Sequence, residues 1–342
     1  MLQLSKTIKW LEKADFEAKI VVAGNHDVTL DKAFYAEYGS YFHNQSPQSP
    51  DACLGLLTSS PSITYLNHSS AIVFLDNDAC KRISFTVFGS PYSPKDGIWA
   101  FGYDRANADT ITPGNCRPVH GVSSLPLANS GDLWSAIPLD TDIIITHTPP
   151  HTHCDEVVSG RRALGCEELR RALWRVRPKL SVCGHVHEGR GAERVRWDIQ
   201  GGSGAPYTEL GVERWGDPGA GLNNNKMSLI DLTSRGGRRP LDNDGVSVRQ
   251  GRSAGRQGQG SACVHFDDAT ATALPGFGTR GVGGNPDMSV RCDREALCGR
   301  MGRRETCIIN CAIAATNWPH SGGKRFNKPI VVDLDVPILQ TD

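Results

Sequence analysis

Three apolar runs in this chain each end in a polar turn stocked with metal-ligand side chains. IVVAGNHD (20–27) delivers Asn25, His26 and Asp27, IIITHTPP (143–150) delivers His147, and LSVCGHVH (180–187) delivers His185 and His187. Imidazole nitrogen suits Zn, Fe, Mn, Co and Ni, while amide and carboxylate oxygens suit harder ions. Asn25, His147, His185 and His187 together therefore imply a borderline divalent transition ion such as Mn, Fe or Zn. In open α/β sheets ligands collect where adjacent strands end, because the side chains leaving them converge on one rim. His185 and His187, two apart, would face opposite ways on an extended strand. In a glycine-bracketed turn they need not, and each can serve a different ion or a different side of one ion.

A rim of this kind needs elements to hold it. The opening LQLSKTIKWLEKAD carries Leu4, Ile8, Trp10 and Leu11 at near-helical spacing and feeds the β-branched run KIVVAG (19–24). Asp27, Thr29 and Asp31 can cap a following helix through Phe34 and Tyr38. Strands are predicted at ITYL (63–66), AIVFL (71–75), ISFTVFGSP (83–91) and DIIITHTPP (142–150). GCEELRRALWRVRP predicts a helix with Leu169, Leu173 and Val176 on one face, stopped at Pro178, before the strand 180–183. TCIINCAIA and NKPIVVDLDVP supply two more strands. Alternation of this sort gives a layered α/β or α+β domain.

The chain has 342 residues, 39% of them hydrophobic, enough for a substantial core. Lys plus Arg equals Asp plus Glu at 37 each, so no net field favours a polyanion; neither specific nucleic-acid binding nor a membrane surface is expected. No run of 18 or more apolar residues occurs, and the first residues interleave Lys, Glu and Asp with apolar ones, so a soluble, cytoplasmic protein is expected. The 11 cysteines are scattered without a CxxC pair and read as reduced thiols. From 201 to 302 stretches such as RQGRSAGRQGQGSA are poor in apolar residues and read as a largely disordered insertion, with a strand expected at 226–232. The expected organisation is a first domain part over 1–200, the insertion over 201–302, and closing strands over 303–338. Taken singly, His43, His68, His120, His151, His153, His265 and His320 read as structural residues. HTHC (151–154) lacks the second ligand pair that a structural zinc site needs.

GNHD followed downstream by GHxH is a specific combination. It resembles the calcineurin-like metallophosphoesterase family, whose pattern runs D-x-H, G-D, G-N-H-[DE], a strand-end H, then G-H-x-H. FGSPYSPKDGIWAFGY, THTPP, GCEELRRAL, GHVHEGRGAERVRW and the final N-x-P-I-V-V-D-L are similar to the small branch typified by brain metallophosphoesterase-domain proteins. The resemblance implies a β-sandwich flanked by helices. It implies that Asn25, His147 and His185 bind a second metal and His187 a first, with His26 protonating the leaving oxygen and Asp27 fixing its tautomer. The D-x-H and G-D motifs are missing from the residues before Gly24, which leaves His187 alone at the first metal. We therefore expect an N-terminally incomplete fold that binds one ion or none firmly, where complete relatives bind two.

Two functions follow as expectations. One is hydrolysis of a small phosphomonoester or phosphodiester by metal-activated water. The alternative is a catalytically impaired relative acting as a metal-binding, nucleotide-binding or interaction module. A nuclease reading is weaker, since no aromatic-basic groove is legible. Substrate contacts and oligomeric state are unassigned by sequence.

Overall fold

The computed structural model describes residues 1–77, 81–105, 130–157, 162–199, 207–217, 226–236, 239–243, 302–316 and 322–336. From the N-terminus, helix α1 (Leu2–Lys13) leads into β1 (Ile20–Val22), followed by α2 (Lys32–His43), α3 (Pro50–Thr58) and β2 (Thr64–Leu66). A long hairpin, β3 (Ser69–Asn77) and β4 (Lys81–Ser90), precedes the short β5 (Ser93–Pro94) and β6 (Gly102–Tyr103). Then come α4 (Ser130–Ser135), β7 (Ile143–Thr146), β8 (Glu156–Val157), β9 (Arg162–Ala163), α5 (Glu167–Val176) and β10 (Leu180–Cys183). The last strands are β11 (Gly191–Trp197), β12 (Glu209–Trp215), β13 (Ser228–Asp231), β14 (Glu305–Asn310) and β15 (Ile330–Asp333).

Seven strands form one sheet in the order β12-β11-β14-β10-β7-β4-β3. Its centre, β4, β7, β10 and β14, is parallel, and β3, β11 and β12 add antiparallel edges. Parallel strands covered on both faces carry few exposed residues, and all six residues of β14 are buried, with Glu305, Thr306 and Asn310 each hydrogen-bonded. On one face, Ile144 and Ile308 pack with Leu169, Leu173 and Trp134 from α5 and α4. On the other face Ile143 joins two clusters at once. One lies under the parallel pair β1 and β2, the other under the parallel pair β13 and β15. The result is the expected layered sandwich of a large mixed sheet, two small sheets and flanking helices.

Helix α5 forms where its stripe predicts. The Cys166 sulfur accepts the Leu169 N–H, Glu167 and Glu168 fill the first turn, and Arg177 ends the helix at φ 47° before Pro178. Leu169, Leu173 and Val176 are fully buried, worth about 1.5–3 kcal/mol each in removed apolar surface.

Within the stretch 201–302, read from sequence as largely disordered, two strands are described. Glu209–Trp215 pairs with β11 as an edge of the main sheet, and Ser228–Asp231, inside the expected 226–232 strand, pairs with β15. Residues 201–206, 218–225, 237–238 and 244–301 lie outside the described residues. His120, His265 and His320 fall outside them too.

Edge strand β12 is fastened by His153. Its Nδ1 lies 2.8 Å from Glu193 and its Nε2 3.3 Å from Glu209, whose carboxylate also receives a two-pronged fork from Arg170 at 2.9 Å. Two carboxylates on two ring nitrogens select the imidazolium. Burial works against that charge, but Glu193 and Glu209 outweigh it and raise His153 above its ordinary value. Burial likewise pushes Glu209 up, yet His153 and Arg170 prevail and hold it at about 2.

The sign of the linkage follows. The His153 contribution is fully present below the unfolded value of about 6.5 and is lost as pH rises through the raised native value. The Glu209 contribution is present above about 4.5 and is lost as pH falls toward about 2. Thermal denaturation is therefore expected to show a midpoint that declines as pH rises above about 6.5 and through the raised native value. His153→Gln should flatten that decline, and an unchanged slope would contradict the imidazolium assignment.

Candidate metal centre

All four parallel strands of the main sheet run the same way, so their carboxyl ends share one rim. His147 follows β7 there, with its N–H on the Ser90 carbonyl of β4 at 3.0 Å and its carbonyl receiving the Gly184 N–H at 3.1 Å. Beyond β10, His185 takes φ 64°, the left-handed region that a residue with a Cβ occupies at a cost. The GNHD turn follows β1. It is closed from both sides: Asp27 N–H donates to the Gly24 carbonyl at 3.0 Å, and Gly24 N–H donates to Asp27 Oδ2 at 2.8 Å. Asp31, the cap of α2, accepts from Phe34 N–H through one oxygen and from Phe101 N–H through the other, each at 3.0 Å.

These turns bring three donor atoms into contact. His147 Nε2 lies 2.8 Å from Asn25 Oδ1 and 3.0 Å from His185 Nδ1. In the tautomer that carries its hydrogen on Nδ1, the Nε2 lone pair faces the same point as Asn25 Oδ1 and His185 Nδ1. Burial drives the His147 pKa to about 3, with His185, His26 and His187 adding to the effect, so the ring is neutral at neutral pH. Burial and His26 also lower His185, against a smaller pull from Asp96. Three neutral, converging N and O donors fit a borderline divalent ion. Among the described residues no three His, Cys, Asp or Glu side chains group closely enough to hold a metal; the third donor here is the amide of Asn25.

His26 and His187 open on the same cleft of about 490 Å³, whose walls include Trp99, Asp96 and residues 311–314. A volume of this size suits a small ligand. Burial lowers the His26 pKa and His187 adds to the lowering, while the Asp27 charge opposes it without reversing it. Asp27 Oδ2 meanwhile closes the turn.

Two contributors carry no ligand signature in the sequence. Asn310, fully buried at the end of β14, donates to the carbonyls of Cys154 at 2.9 Å and Val186 at 2.8 Å and accepts the Ala312 N–H at 3.0 Å. It ties the GHVH turn, the HTHC loop and the cleft wall together. An amide ending an apolar run, as Asn25 also does, is the one signal that could have marked it. Trp99 packs against His26 with ring centroids 4.0 Å apart and the ring planes tilted by 47°. Of the histidines read as structural, His68 meets Ser90 at 3.1 Å, His151 pairs with Glu167 at 3.2 Å, and His43 meets Tyr35 at 3.1 Å; none joins the centre.

A layered sheet with histidine and asparagine side chains gathered near its carboxyl rim defines an α/β protein with a candidate metal centre. Residues 4–189 match the calcineurin-like phosphoesterase family, and the chain belongs to it. Members of this family generally use divalent metals. Over 194 residues the chain is 30% identical to metallophosphoesterase domain-containing protein 1 of Homo sapiens and of Mus musculus, covering 55% of this chain and 50% of each of theirs. Over 199 residues it is 37% identical to a protein of Emericella nidulans called probable rhamnogalacturonate lyase C, covering 58% of this chain and 15% of that one. The chain thus spans half or less of the length of these relatives. No described helix is long and apolar enough to cross a membrane.

Proposed function

We propose that the chain hydrolyses a small phosphate ester, a monoester or a diester, with a divalent transition ion held by Asn25, His147 and His185 and flanked by His187. The convergence of Asn25 Oδ1, His147 Nε2 and His185 Nδ1 carries this reading. A divalent ion there would supply Lewis acidity toward the phosphoryl group and a stronger nucleophile than bulk water. The chain's own residues do the rest. Asn25 orients His147, and the depressed pKa of His147 keeps that ring neutral and able to ligate. His26, across the cleft, hands its proton to the departing oxygen, and the Asp27 charge favours the protonated ring. Balanced charge supports a small ester rather than a nucleic acid or a membrane as the partner. Free thiols at Cys53, Cys154, Cys166, Cys183, Cys307 and Cys311 support work in the reducing cytoplasm.

A second reading has one observation in its favour: among the described residues no carboxylate joins the three donors. The chain would then bind an ion without turning over an ester. Calorimetry with Mn and hydrolysis of nitrophenyl phosphate mono- and diesters separate the two. Hydrolysis by the purified chain with Mn, lost in His147→Ala and His185→Ala, supports the enzyme. Heat of Mn binding without turnover leaves the binding module. Neither signal from a folded chain ends both.

A further inference from the structure

His26 stands at a turn, largely exposed, with no hydrogen bond from a neighbouring side chain to its ring among those the structure shows. An imidazole so placed should turn freely about its side-chain torsions. A proton donor needs the opposite, since misdirection by a single rotamer removes it from the departing oxygen. What limits the ring is Trp99, whose indole centroid lies 4.0 Å from that of His26 at an interplanar angle of 47°.

Trp99 is itself held. The next residue's backbone, Ala100 N–H, donates to the Asn25 carbonyl at 3.2 Å, and Phe101 N–H donates to Asp31 at 3.0 Å. Phe42 of α2 backs the indole with ring centroids 5.5 Å apart. The loop between β5 and β6 is thereby stitched to the turn that carries both Asn25 and His26. A shift of the backbone at Trp99 relative to Asn25 would have to break these hydrogen bonds.

We propose that Trp99 is a positioning residue for His26: its indole face fixes the imidazole over the cleft so that the ring meets the leaving oxygen of the bound ester. The proposal rests on the phosphoesterase reading of the cleft. It distinguishes leaving groups, because an alkoxide must be protonated as it departs whereas a nitrophenolate departs without help.

The test uses the whole chain with Mn and two diesters, one with a nitrophenyl and one with an alkyl leaving group. Trp99→Leu is expected to cost the alkyl ester about tenfold more in kcat than the nitrophenyl ester, with Trp99→Phe restoring most of the difference. Added to His26→Ala, Trp99→Leu should cost the alkyl ester nothing further, the signature of two residues acting as one. Equal losses on both esters, or additive losses in the double variant, would overturn the proposal. A second measurement needs no turnover. The His26 Cε1 proton resonance, assigned by its disappearance in His26→Ala, should move downfield in Trp99→Leu as the indole ring current is lost. A resonance that stays put refutes the stacking even in an inactive chain. Hydrolysis of neither ester, with the resonance moving as expected, would instead refute the phosphoesterase reading and leave the indole's hold on His26 established.

Discussion

Gly24→Ala is expected to weaken Mn binding by about a hundredfold or more and to remove metal-dependent hydrolysis with it, while Gly184→Ala leaves both close to those of the unaltered chain. A Cβ on Gly24 would lie 2.6 Å from His147 Cε1 and 2.7 Å from its Nδ1, distances that no carbon contact tolerates. The ring cannot step aside and still ligate, because Asn25 and His185 hold its other end at 2.8 and 3.0 Å. A Cβ on Gly184 meets nothing within 4 Å, although that residue adjoins His185. Both glycines precede a residue proposed to hold the ion, so sequence alone would rank them together. Calorimetric titration of the two variants with Mn, beside circular dichroism to verify folding, gives the comparison; equal affinities would show that His147 is not confined as described.

The second large effect is expected at Asn310. Asn310→Leu removes the amide partner of the part-buried Cys154 carbonyl and of the Ala312 N–H, and leaves the Val186 carbonyl with the Gly189 N–H at 3.2 Å alone. An unsatisfied buried polar group costs about 1–3 kcal/mol, so a loss of about 2 kcal/mol or more in unfolding free energy follows. Asn310→Asp can still accept from Ala312 but cannot donate to the carbonyls, and should fall between. Denaturant unfolding measures the stability, and Mn titration of the folded fraction reports on the centre. Because Val186 lies between His185 and His187, metal affinity should drop as well. A variant as stable as the parent would mean that the three contacts are made by other groups.

Much of this architecture is legible before any coordinates. The mostly apolar runs at 143–146 and 180–183 and the apolar triplet 307–309 become central strands because short runs without alternation suit burial on both faces. The α5 stripe falls where its period puts it. His147 and His185 meet because the ends of the parallel neighbours β7 and β10 share a rim, and Asn25 reaches them from the turn after β1, whose small sheet packs on the face of Ile143 and Ile145. What stays hidden is choice of partner. His153 is one of several isolated histidines in the sequence, and its role depends on Glu193 and Glu209, 40 and 56 residues away. Trp99 reads as an ordinary core aromatic until the fold sets it against His26. The strand ELGVERW sits in surroundings so rich in Gly and polar residues that its alternation is masked, and only β11 gives it an edge to join.

Strand β14 occupies the slot between β10 and β11, although it follows both by a long stretch of chain. On the ribosome, β10 and β11 emerge first and cannot settle as neighbours, since the space dividing them belongs to a strand not yet translated. Until residue 310 is made, each presents an unpaired flank, and the HTHC loop and GHVH turn wait for the asparagine that joins them. Nascent chains halted short of that point are the species a chaperone must shield.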